Sequence, residues 1–340
     1  MEMSSVLGKK KKYFKKNFVI ISVTLFLILL TICLLINPKK YINSCYNGLV
    51  IWATSVLPGL FPFFVITKLL SELKSMDKLF NKFSGLNYKL FKAPSCSGYI
   101  FGMSIISGYP VGAKLISDFY EKGIIDTKQA NKLVTFCSTS GPLFIIGTVG
   151  SIMFKNALIG YILYISHVLS AILNGLLFRR KFACEKQQTM PNETSKIDYN
   201  SILPTSMSSS ISSVMVVGGF VAIFYMIIDI LFDFKILTPL TSFFNFLLSP
   251  LGLKNAGSAI SGGIVEVTRG CKDLSMLGLS PLQSVVISSG LIAFGGLSIH
   301  AQSLCFLTKC KIDVKFYFLQ KITQTIFACV ISFLLGLLLL

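Results

Sequence analysis

The sequence predicts an all-α polytopic membrane protein: two inverted repeats with re-entrant hairpins and broken helices, plus an N-terminal anchor helix and a C-terminal span. Three observations predict it. The 340-residue chain has a mean hydropathy of +0.72 and only 14% charged residues, more apolar surface than one water-soluble core can hide. Its apolar runs are broken by Gly and Pro at similar places in the two halves, and its basic residues gather between particular runs, as cytoplasmic loops require.

The basic "KKKKYFKK" from Lys9 precedes the apolar run 18–36, long enough to cross about 30 Å of hydrocarbon as a helix. The segment after it lacks an A-x-A cleavage pattern, so residues 1–40 read as a basic N-terminus and an uncleaved anchor. Residues 41–178 form the first repeat and its trailing span. Within them, 46–70 is apolar but carries Pro58 and Pro62, which invite a kink. A Lys-rich stretch at 71–97 follows, then a Gly-punctuated segment at 98–117 and a polar one at 118–132. The run at 133–154 is split by Ser138, Thr139, Ser140, Gly141 and Pro142, and 157–178 is a plain span ending on Arg179, Arg180 and Lys181.

Residues 179–200 read as a cytoplasmic linker, with a chance sequon at Asn192. The second repeat, 201–312, has a span at 211–232, a broken or interfacial segment at 236–253 and a short Gly-rich stretch at 256–270. Its next span, 280–307, is interrupted at Gly295 and Gly296. A last span, about 316–340 within the C-terminal segment 313–340, ends the chain.

A shift of 154 residues lays Ser107-Gly108 on Ser261-Gly262 and Gly141 on Gly295. Charge supports opposite orientation of the halves. Ten Lys lie in 68–132, whereas 233–280 has only Lys235, Lys254, Arg269 and Lys272, so the first middle segment belongs inside and the second outside. Inverted repeats with interrupted helices are a construction of secondary transporters, with solute held where the breaks meet.

The breaks are therefore the candidate site, because a backbone that leaves helical geometry at membrane depth survives only in protein or beside a wet cavity. Ser107, Gly108, Tyr109 and Pro110 would turn a hairpin. The helix restarting at Val111 would offer free N–H groups to an anion, with Lys114 in its first turn adding charge. The plainer alternative is that these glycines serve close packing and Lys114 snorkels. Ser138, Thr139 and Ser140 offer three hydroxyls to a carboxylate or carbonyl beside the break at Gly141, or else bond their own helix. Glu266, flanked by apolar residues, is a candidate for proton or ion coupling, with Thr268 and Arg269 beside it as substrate-binding candidates and the Arg269 charge favouring an anion, the alternative being an ordinary Glu–Arg pair. Gly295, Gly296, Ser298 and Gln302 form a second substrate-binding set, with His300 as a coupling candidate; His167 reads as structural.

Other classes are poorly served. The net charge of +18 lies between apolar runs, not on an aromatic-interleaved face, so nucleic acid is no partner. Nine scattered Cys without CxxC, two His without HExxH and the absence of a phosphate loop argue against a disulfide framework, metal or cofactor, and nucleotide hydrolysis. No nucleophile–base pair suggests an enzyme. The expected partners are a small-molecule anion and the lipid bilayer, with self-association into a homo-oligomer left open.

Five blocks, "WATSVLPGLFPF", "SGYPVGAK", "FCSTSGPLFIIGTVG", "GGIVEVTRG" and "ISSGLIAFGGLSIHAQ", resemble the YlbJ-type sporulation integral membrane proteins, built from two nucleoside-recognition "Gate" domains. The resemblance runs from about residue 46 to the C-terminus. It implies a multi-pass protein of the outer forespore membrane that exports dipicolinic acid, a planar dianion, from the mother cell. The alternatives are a nucleoside or other small metabolite as solute, or a membrane morphogenesis role without transport.

Overall fold

The computed structural model describes residues 20–72, 85–185, 199–253 and 255–340. The basic cluster after Lys9, residues 73–84 of the Lys-rich 71–97 stretch and the core of the 179–200 linker with Asn192 lie outside the described residues. Among those described there are helices and no strands, and five helical segments are long and apolar enough to cross a membrane: Pro38–Leu70, Ala157–Leu177, Ser201–Asp233, Pro281–Cys310 and Val314–Leu339. The chain is an integral membrane protein.

Helix α1 (Ile20–Ile36) stops at Asn37, whose side chain accepts from the N–H of Lys40 to start α2 (Pro38–Ile51); Pro38 sits where its missing N–H costs nothing. Just ahead of the prolines the helix widens into a π-wound turn, Trp52–Val56, and continues as α3 (Leu57–Glu72), with Pro62 inside it. After a short helix α4 (85–91) come α5 (Ser97–Ser107) and α6 (Val111–Glu121), of 11 residues each. Each spans about 16 Å at 1.5 Å per residue, half the hydrocarbon thickness, so the pair forms a hairpin and not two spans.

Asp126 and Gln129 make a capping box that starts α7 (Thr127–Leu133). Residues 138–141 are non-helical, and a π-wound helix, Leu143–Met153, completes the split run. It packs on α8 (Ala157–Leu177) through Gly150 and Gly160, where a Cβ on Gly150 would lie 2.5 Å from the Gly160 Cα. The 35-residue α9 (Tyr199–Asp233) and α10 (Thr238–Leu248) lead to the second hairpin, α11 (Ala256–Val265) and α12 (Val267–Ser275). Helices α13 (Pro281–Phe294) and α14 (Gly296–Leu307) flank the Gly295–Gly296 break, and α15 (Val314–Leu339) closes the chain.

Contacts sort these elements between two ends of the bundle. At one end Lys309 bridges Glu121 at 2.6 Å, the Asn131 side chain accepts from the N–H of Asp313, Phe316 meets Phe178 edge to face, and the buried Lys132 ammonium donates to the carbonyls of Phe178, Arg179 and Lys181, capping α8. That end holds the base of the α5–α6 hairpin. Helix α13 runs antiparallel to α15, with Ser289 donating to the Ala328 carbonyl and Leu282 beside Gly336, so the start of α13 lies at the other end. There the base of α11–α12 packs, and there Lys40 of α2 bridges Asp233 of α9 at 2.5 Å.

One register correction follows. A 154-residue shift pairs Gly108 with Gly262, yet Gly262 lies within α11 and the second hairpin turns at Glu266, which is extended (φ −142, ψ 115). The second tip comes four residues later than the shift places it, one helical turn, whereas Gly141 and Gly295 both fall at breaks.

Candidate functional site: a cavity between two hairpin tips

Each hairpin tip abuts the broken span that follows it in the chain. At the first, Gly108 (φ 85) lies so close to Gly141 that a Cβ on it would sit 2.4 Å from the Gly141 nitrogen. At the second, a Cβ on Gly296 (φ 71) would lie 2.9 Å from the Gly263 carbonyl and 3.2 Å from the Val267 nitrogen. Backbone meets backbone at both joints because no side chain intervenes, which is what glycine permits. The joints also touch each other: Tyr109 packs against Gly295 and Ile299 neighbours it.

Between the tips lies a cavity of about 70 Å³, well above the roughly 10–15 Å³ that a single water needs. The first tip contributes Ser107, Gly108 and Tyr109, the first break Ser140 and Gly141, the second tip Glu266 and Thr268, and α14 Gln302. Apolar side chains of α3 and α9 close the rest, among them Leu60, Phe63, Val217 and Val221. The Ser107 hydroxyl is buried with no hydrogen-bond partner, so it is free to meet a solute.

Glu266 is 2% exposed and caps α12: its Oε2 accepts from the N–H of Arg269 at 2.8 Å, so its charge is met by the positive end of a helix. The Arg269 guanidinium turns elsewhere. Its Nε donates to Asp273 at 3.0 Å and its Nη2 lies 3.6 Å from Asp229. Lys114 does not line the cavity; its Nζ lies 3.7 Å from Asp118 and over the Phe306 ring. Pro110, Ser138, Thr139, Gly295, Gly296, Ser298 and His300 also stand outside the lining. Thr139 bonds Ser104 at 2.6 Å, Ser298 accepts from Gln302, and His300 bonds the Tyr317 hydroxyl at 3.1 Å amid Phe294 and Phe318. His167 accepts from the N–H of Ser140 through Nε2 at 2.8 Å, satisfying a backbone group that the break frees.

Lys321 of α15 is fully buried; its ammonium donates to the Tyr109 hydroxyl at 2.6 Å, the Ser138 carbonyl at 3.0 Å and the Gln324 Oε1 at 2.9 Å. Among the described residues no carboxylate pairs with it. It ties the first tip and the first break to α15, one side chain behind the cavity wall. A signal for it is present in the sequence: Tyr317, Gln320, Lys321 and Gln324 recur at helical spacing on one face of an apolar span. Deeper in, Asn174 donates to the Thr135 carbonyl and to Gln320 and accepts from Thr323.

The sporulation integral membrane protein YlbJ of Bacillus subtilis (strain 168) is 27% identical over 330 residues, covering 91% of this chain and 81% of its own. The chain is related to the YlbJ-type sporulation integral membrane proteins. No family model matches. Among solved structures, a double variant of CNTnw in an outward-facing state superposes with a TM-score of 0.49 at 16% identity, covering 84% of this chain and 76% of that one. A variant of CNTnw in the intermediate 3 state gives 0.47 at 16% identity, covering 90% and 84%.

Proposed function

We propose that this YlbJ-type chain is a secondary transporter that exports a small organic anion, dipicolinic acid foremost, across the outer forespore membrane during sporulation. The observation that carries the reading is Lys321: a buried ammonium with only neutral partners at membrane depth is costly, and an anion in the adjoining cavity offsets that cost. Glu266 does not cancel it, because its carboxylate is engaged in capping α12. The two hairpins are read as inverted repeats, their bases at opposite ends and their tips around one cavity, so that movement of either hairpin admits solute from one side. Ser107, Tyr109, Ser140, Thr268 and Gln302 bind the solute in this reading, and Glu266 exchanges the coupling proton or ion. Sporulation enters through the relative's name, and dipicolinate through the sequence resemblance.

A second reading, a neutral solute such as a nucleoside, is favoured by one feature: Lys114 and Arg269, from which a cationic lining was expected, are both paired with acids outside the cavity. Flux into proteoliposomes separates the two. Saturable dipicolinate flux that outcompetes uridine and falls in Lys321→Met supports the anion; uridine flux indifferent to Lys321→Met favours the neutral solute. Absence of both, in protein that remains monodisperse, leaves the morphogenesis role.

A further inference from the structure

Helix α9 carries Val217, Val221, Tyr225 and Asp229 at four-residue spacing, hence on one face. Val217 and Val221 line the cavity between the tips. Asp229, two turns along, lines an open groove with Arg269, Ser44 and Asn47 at the end where Lys40 meets Asp233. Between cavity and groove stands Tyr225, 2% exposed, with the Arg269 guanidinium over its ring at 5.8 Å and the backbone of α2 at Gly48 against its Cβ. Its hydroxyl is buried without a hydrogen-bond partner, an arrangement that packing for stability alone disfavours. On the hairpin side, Thr268 belongs to the cavity and the next residue, Arg269, to the groove.

We infer that Tyr225 and Arg269 form a gate between the cavity and the groove, latched by the Arg269–Asp229 bridge; the inference rests on the transport reading for its purpose, not for its geometry. The bridges are unequal in a way that suits a moving part. Arg269 holds Asp273, one turn on in α12, at 3.0 Å, so that pair travels with the hairpin and keeps the guanidinium neutralised. It reaches Asp229 of the neighbouring helix at 3.6 Å, and Asp229 is itself fixed by the Ser44 hydroxyl at 2.5 Å. Separation of α12 from α9 therefore breaks the long bridge first, lifts the guanidinium from the ring and joins the cavity to the groove.

The test uses the full chain in proteoliposomes with Val221→Cys, modified by a membrane-impermeant thiol reagent and read residue by residue by peptide mass spectrometry. Asn47→Cys, in the groove, reports that the reagent reaches that end. Asp229→Asn and, separately, Tyr225→Ala are expected to speed labelling of Val221→Cys by about fivefold, the factor that an ion pair at the upper end of the partly exposed range contributes, while Asn47→Cys labels at an unchanged rate. Equal labelling of Val221→Cys in all backgrounds overturns the gate. So does a matching rise at Asn47→Cys, which signals general loosening. Labelling needs no transported solute: unchanged labelling with intact flux removes the gate alone, and altered labelling without flux of any solute removes the transport reading alone.

Discussion

Gly108→Ala is expected to weaken the joint on which the site is built, and its size follows from two separable costs. Gly108 has φ 85 and ψ −171, a region that is essentially glycine's alone, and an L-residue held there costs about 1–3 kcal/mol. Its Cβ would also stand 2.4 Å from the Gly141 nitrogen and 3.0 Å from the Gly141 Cα. Both atoms are backbone and cannot rotate aside, so the hairpin must retreat from the break, at about 1–3 kcal/mol more as overpacking. The expected total is about 2–6 kcal/mol. Gly123, just past the same hairpin, has φ 70 with nothing within 4 Å of a built Cβ, so Gly123→Ala bears only the backbone cost of about 1–2 kcal/mol. Thermal unfolding of the detergent-solubilised protein, followed by size-exclusion fluorescence, compares the two. A clearly larger loss for Gly108→Ala is expected, with solute binding lost before the fold. Equal losses would refute the tip-to-break contact.

Other expectations are open to measurement. His167→Phe removes the acceptor for the N–H of Ser140 and should cost about 1–3 kcal/mol in thermal unfolding; His167→Gln, whose amide oxygen can accept, should recover part of it. Asn174→Leu leaves the Gln320 and Thr323 side chains and the Thr135 carbonyl short of partners and is expected to cost about 2–4 kcal/mol by the same assay. The Lys40–Asp233 bridge is largely exposed, so Asp233→Asn should shift stability by less than about 1 kcal/mol, with the shift fading in high salt.

Much of the architecture is legible because membrane helices punish irregular backbone. Gly108, Ser138 to Gly141 and Gly295 stand out as breaks inside apolar runs, and each is a break in the structure. The second tip is less legible. In "SGGIVEVTRG" the glycines draw the eye to 262 and 263, which serve helix packing within α11, while the turn falls on Glu266 because its carboxylate caps the next helix. Charges near breaks mislead in a similar way: Lys114 and Arg269 both lie in first turns, yet the rotation of a short helix about its axis decides whether such a side chain meets the cavity or a neighbouring acid, and spacing from a glycine does not encode that rotation. Lys321 is hidden for the opposite reason. One cation among apolar neighbours barely lowers a span's mean hydropathy, and only the period of Tyr317, Gln320, Lys321 and Gln324 reveals a polar face.

In the transport reading an anion sits between the hairpin tips, one side chain away from the Lys321 ammonium. Calorimetric titration of the purified full-length protein with dipicolinate is the direct test. Saturable binding is expected, weakened by about tenfold in Lys321→Met through loss of one nearby positive charge, in protein that still elutes as a single species. Binding of undiminished strength in Lys321→Met would contradict it.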